Sequence, residues 1–168
     1  VTVADANNVS LDSALIGGHY AVTATNGIDV IGIVDISATG GTLTFDVSGG
    51  AGDIVDSTGH VLVDGLATLI ARTADDIVLN NASNNFGSVA VDSADNVELR
   101  DADSLELAGL DVEGNLDVTV TGAITESAAA LEIITVNGTT TLSSGAGNDI
   151  NLVKSGHDFA TVSVTQAN

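Results

Sequence analysis

GLATLIARTADDIVLNNASNNFGSVAV at residues 65–91 and GTTTLSSGAGNDINLVKSGHDFATVSV at residues 138–164 are one pattern written twice, at an offset of 73 in the numbering. Gly65, Leu69, Asp76, Ile77, Phe86 and Val91 fall on Gly138, Leu142, Asp149, Ile150, Phe159 and Val164. Inside each copy apolar residues alternate with polar ones over three to five positions, as in Ile77/Leu79, Val89/Val91, Ile150/Leu152 and Val162/Val164. Period two is the signature of strands whose successive side chains point to opposite faces. Turn formers separate the alternations: Asn26-Gly27, Gly40-Gly41, Gly49-Gly50, Asp64-Gly65, Gly114-Asn115 and Asn137-Gly138. Helical spacing is not sustained anywhere, and Ser127–Ile133 is too short to count.

A second offset, of 88, places Val1, Val3, Asn8, Val9 and Leu11 on Val89, Val91, Asn96, Val97 and Leu99. The repeats then run over about 1–88 and 89–161, with VSVTQAN at 162–168 matching VTVADAN at 1–7 and starting a further copy. The first copy is longer by 15, and the excess falls within 12–52. One segment, 1–168, is expected, cut from a longer array. It opens on Val1 and contains no Met, as a processed product or an excised piece would.

Short strands in repeating order allow a sandwich, a barrel or a solenoid. The composition favours the solenoid. At about 5% proline a chain of this length would carry roughly eight, and it has none. A residue without a backbone N–H is least tolerated where nearly every strand residue donates to a neighbouring strand. One Tyr, three Phe and no Trp leave a core of Val, Ile, Leu and Ala, which suits a narrow interior. The Thr-x-Thr pairs at 23/25 and 42/44, and at 119/121 and 139/141, recur at spacings of 19 and 20, which reads as one turn per 19–20 positions. The expected fold is therefore all-β, a parallel β-helix (β-solenoid) of roughly eight turns.

With 23 acidic against 3 basic residues the net charge is −20, which repels nucleic acid and anionic membrane surfaces. No run of about 18 apolar residues offers a membrane span. The absence of Cys leaves the redox compartment open.

The strings NNFGSVAVDSADNVELRDADSLELAGLDVEGNLDVTVTG (84–122) and GAITESAAALEIITVNGTTTLSSGAGNDINL (122–152) resemble the repeats of filamentous-haemagglutinin-like bacterial adhesins. The resemblance covers 84–168 well and 1–83 more loosely. It implies a right-handed β-helical shaft, exported to the surface of a Gram-negative bacterium and acting by length and stiffness in an adhesin or biofilm-matrix fibre. Because both ends cut through a repeat and 162–168 matches 1–7, the partners expected are flanking repeats or further copies stacked head to tail, with host or cell-surface glycans as the alternative.

The candidates for chemistry are few. Gly49-Gly50-Ala51-Gly52-Asp53 and Ser144-Gly145-Ala146-Gly147-Asn148-Asp149 partly match the calcium-binding nonapeptide G-G-x-G-x-D-x-U-x. They make Asp53 and Asp149 weak candidates for Ca2+, with Asp76 as the repeat counterpart of Asp149, against a reading as plain turns. Clustered carboxylates, among them Asp75/Asp76, Asp92/Asp95 and Asp101/Asp103, could hold divalent cations loosely or simply keep an acidic face solvated. His19, His60 and His157 lack spaced partners for a metal site. The pattern aligns His157 with Asn84, a swap natural in a turn. Ser57, His60 and Asp64 can be assembled on paper into a triad, without an elbow or oxyanion signature. Arg72, Arg100 and Lys154 are too few bases for a polysaccharide lyase, and Arg100 with Asp101 reads as a surface ion pair.

No cofactor and no enzymatic activity are expected. A glycan- or cell-binding module is the main rival reading, with a β-helical carbohydrate enzyme or an ice-binding face behind it. Phe86 and Phe159 read as one structural position seen twice, each plugging the core where the chain re-enters the stack, with Gly65 and Gly138 as the matching turns.

Overall fold

The structure is a computed structural model that describes residues 1–129 and 132–167. Ala130 and Leu131, in the Ser127–Ile133 stretch whose helical spacing is too short to count, and Asn168, the last residue of the 162–168 match, lie outside the described residues. The strands of the described residues pair in parallel, each with segments one coil away. The chain is an all-β parallel solenoid of about seven turns.

Three ladders run along it. The first passes through Val9, Ile28, Ile54, Ile77, Val97, Leu116, Thr140 and Val162, each opposite the next. The second includes the pairs Val34↔Val61 and Val63↔Phe86, then Leu105↔Ile124 and Ile124↔Ile150. The third joins Val3, Val22, Phe45, Leu69, Val91, Leu110 and Ile134. Apart from the buried Thr140 and the exposed Val162 of the outermost coil, these residues alternate with outward polar ones and pack into or against one continuous aliphatic core, with Phe45 and Phe86 fully buried in it.

Along the first ladder the numbering advances by 19, 26, 23, 20, 19, 24 and then 22, close to 22 on average. The coil is thus longer than the threonine spacing implied, and about seven turns replace the expected eight. The threonine pairs mislead because they do not stack: Thr23 lies opposite Asp46, and Thr119 opposite Ser143. At about 4.8 Å per coil, seven steps give a rod about 34 Å long. Strands are also longer than the alternations suggest. His60–Ile70, Asn85–Ala94 and Ile134–Ser143 each continue around a corner.

Corners stay in the hydrogen-bonded stack. Gly65 N–H donates to Gly41 O at 2.9 Å, and Gly138 N–H to Gly114 O at 2.8 Å. A proline at either place would remove such a bond, which accounts for the zero in the composition.

The sequence repeat and the coil are out of phase. Leu69 is on the third ladder and its counterpart Leu142 on the first, opposite Val118. Ile77 is on the first and Ile150 on the second. Phe86 lies opposite Val63 on the second, whereas Phe159 lies opposite Val136, on the third. The two phenylalanines are therefore equivalent in sequence and not in position. The shorter offset amounts to three turns plus one side, while the longer one takes Val3 to Val91 and Val9 to Val97 on the same ladders, four whole turns on. The physical reason is that the three sides are interchangeable: each is a short alternating strand and a corner, about seven residues.

Candidate functional site

Two of the carboxylates singled out for calcium, those of Asp53 and Asp76, hold backbone. Asp53 Oδ1 accepts Asp76 N–H at 2.8 Å, Asp76 Oδ1 accepts Asn96 N–H at 3.0 Å, Asn96 Oδ1 accepts Asn115 N–H at 2.9 Å, and Asn115 Oδ1 accepts Thr139 N–H at 2.9 Å. This column supports the corner that precedes the first ladder. Asp149 precedes Ile150 on the second ladder, and its carbonyl accepts Ile124 N–H at 3.1 Å. The structure thus stacks Asp53 on Asp76 and puts Asp149 on another side. Among the described residues no group of three or more His, Asp or Glu side chains could hold a metal ion.

Ser57, His60 and Asp64 do not form a triad. Ser57 N–H donates to Asp29, Asp64 accepts Gly40 N–H, and no hydrogen bond joins the three among the described residues. His19 Nδ1 meets Thr42 Oγ1 at 2.7 Å. The expected ion pair of Arg100 with Asp101 is also not formed: the Asp101 carboxylate turns inward. Arg72 instead pairs with Asp75 at 2.6 Å, which holds the Asp75 carboxyl below its ordinary range.

A dense polar constellation among the described residues is one that the sequence offers only as a turn. Asp56 is buried where the alternation calls for an aliphatic residue. Its Oδ1 accepts Asn80 N–H at 3.0 Å, and its Oδ2 accepts Asn81 N–H at 3.0 Å and Asn84 Nδ2 at 2.7 Å. Asn84, fully buried, accepts Val61 N–H through Oδ1 at 2.8 Å, and Asn81 Nδ2 donates to Gly59 O at 2.6 Å. One carboxylate and two amides thereby clasp two successive coils.

The same clasp recurs one repeat later. Glu126 Oε2 accepts Val153 N–H at 3.1 Å, Lys154 N–H at 3.2 Å and the His157 ring at 2.5 Å. His157 Nδ1 accepts Ile134 N–H at 2.9 Å, and Lys154 Nζ donates to Glu132 O at 3.0 Å. Gly59, Val61, Asn80, Asn81 and Asn84 are matched at the repeat offset by Glu132, Ile134, Val153, Lys154 and His157. The sequence signal is the alignment of Asn84 with His157. What it does not show is the carboxylate, because the same offset carries Asp56 onto Ala129 and not onto Glu126.

The electrostatics of the copies differ in sign. Burial pushes the Asp56 carboxyl up, against the pull of its Asn84, Asn81 and Asn80 bonds. At Glu126 desolvation also pushes up, but the His157 bond and the Lys154 and Val153 amides outweigh it and the carboxyl ends below its ordinary range. Both nitrogens of His157 are in use, so the ring offers no free base for chemistry. The arrangement can fasten one coil to the next.

Asp101 is a third inward carboxylate. Its Oδ2 accepts Phe86 N–H at 2.7 Å and its Oδ1 accepts Asp103 N–H at 2.8 Å. Desolvation raises its pKa to about 6, helped by the Asp103 charge and opposed by the two amides. The folded carboxyl therefore keeps its proton to higher pH than the unfolded one. Its contribution to stability is full below about pH 4 and is lost as the pH rises to about 6, by about 2–3 kcal/mol. Across this range the unfolding free energy of the native chain should fall by that amount relative to that of Asp101→Asn; parallel curves would show that Asp101 does not titrate there.

No curated protein and no solved structure matches the chain. A family model described as repeats of unknown function (DUF5649) matches residues 31–93 and again residues 94–166. The second span has the same length as the repeat read from the sequence. With both spans together covering most of its length, the chain belongs to this family of DUF5649 repeats.

Proposed function

We propose that the protein is a structural module, a length of non-enzymatic solenoid shaft that works by stacking on further coils. The observation that carries this reading is at the outermost coil. Val162 and Val164 continue the inward columns of Thr140 and Leu142, yet they are 49% and 53% exposed. Among the described residues their strand, Asp158–Gln166, pairs on one side only, with Ile134–Ser143. An aliphatic face and an unpaired parallel edge together match what another coil presents, from flanking chain or from a second copy. Such a contact is heterologous and builds filaments rather than closed dimers.

The use of Asp53, Asp76, Asp56, Glu126 and His157 to fasten backbone supports a mechanical rather than a catalytic role. The resemblance to filamentous-haemagglutinin-like repeats extends the proposal to a fibre or adhesin shaft outside a Gram-negative cell. Negative-stain microscopy over rising protein concentration tests the stacking. Rods of constant width and growing length are expected, shortened by Val164→Asp. Compact single particles at every concentration would overturn it.

A further inference from the structure

The two clasps make the same bonds with different chemistry. Asn84 accepts Val61 N–H through an amide oxygen, which no change between pH 5 and 8 can convert into a donor. His157 accepts Ile134 N–H through Nδ1, so the hydrogen of the neutral ring is on Nε2, directed at Glu126 Oε2. Histidine is the side chain that ordinarily changes charge between pH 5 and 8.

We propose that the Glu126–His157 clasp is a proton-operated latch between the last coils. A proton taken up by the ring has one place to go, Nδ1, where it turns the acceptor of Ile134 N–H into a donor. Ile134 N–H and Nδ1–H then face each other, and the bond is lost. The ring remains held at its other end, because Nε2–H still points at Glu126.

The charged side chains on the segments around the ring do not cancel this change. Glu126 stays ionised, its carboxyl lying below the ordinary range. Lys154 is engaged through Nζ with the Ala129 and Glu132 carbonyls, at 2.6 and 3.0 Å. Glu132 and Asp158 carry the remaining charges, and neither carboxylate bonds the ring among the described residues. The His157 side chain is only 4% exposed, so water does not readily replace the lost acceptor. The latch concerns the contact between coils and stands whether or not the chain forms a shaft.

Amide hydrogen exchange read by NMR from pH 8 to 5, corrected for intrinsic exchange, tests it with a control inside the molecule. Protection of the Ile134 amide should fall about tenfold, while that of Val61 in the asparagine clasp holds. His157→Asn should abolish the fall at Ile134. Equal protection of Ile134 at both ends of the range, or a fall that survives His157→Asn, would overturn the proposal. Should that variant not fold, the imidazole nitrogen shifts of the native chain decide: protonation of Nδ1 already at pH 8 would contradict the latch.

Discussion

Gly52→Ala should destabilise the fold by about 4 kcal/mol or more, while Gly49→Ala, three residues earlier in the same turn, should change stability by less than about 0.5 kcal/mol. A Cβ on Gly52 would lie 1.3 Å from Asn26 O and 2.0 Å from Asn26 C, both backbone atoms of the coil beneath. No side chain can swing aside to make room. The coils would have to part by about 2 Å to reach ordinary contact, which breaks the adjacent bond from Ile28 N–H to Asp53 O at 3.0 Å. Gly49 has no atom within 4 Å of the same point. Because each coil touches only its neighbours, the lesion should weaken the coil contact beside Gly52 first. Urea unfolding of the two variants measures the contrast, and equal midpoints would refute the close approach. The result also bears on the calcium reading of Gly49-Gly50-Ala51-Gly52-Asp53, since it assigns Gly52 to backbone contact rather than to a cation loop.

Phe86→Ala should be the second severe change, costing about 3–5 kcal/mol. The ring is fully buried, stacked over Val63, and its own N–H is bound by the inward carboxylate of Asp101. Its sequence counterpart Phe159 should lose only about 1 kcal/mol on the same substitution, because partial burial removes less contact. Phe159 is half-buried in the outermost coil, opposite Val136 and with its ring centroid 5.7 Å from that of His157. Denaturant midpoints of the two alanine variants separate these outcomes. Losses of equal size would restore the idea of one position seen twice, or would mean that a further coil covers Phe159 in solution.

Much of the fold is open to a reading of local pattern. Alternations such as Ile77/Leu79 define strands, Asp64-Gly65 and Asn137-Gly138 mark corners, and the lack of proline follows from a stack in which even the Gly65 and Gly138 amides are bonded. The candidate site is much less legible. Asn84 is visible only as the partner of His157 in an alignment, and Asp56 stands in an inward position that alternation assigns to an aliphatic residue. Asp101 reads as a surface partner for Arg100, yet the structure buries it beneath the Phe86 amide. In each case the decisive bond joins a side chain to a group 15 to 31 residues away, a distance over which composition and periodicity carry no information.

The sequence by itself determined a repeating, parallel, proline-free stack of aliphatic strands, because strand alternation and turn formers are local properties that each segment displays alone. Only the tertiary structure decided which residues lie one coil apart. The step from Val9 to Ile28 is short and the next, from Ile28 to Ile54, is long, so no fixed period predicts a neighbour. Three near-equivalent sides also let the second copy of the repeat settle one side further round. A side chain's partner is set by that register, and the register by the lengths of the corners. The Asp56 and Glu126 clasps therefore came into view only once the coils were stacked.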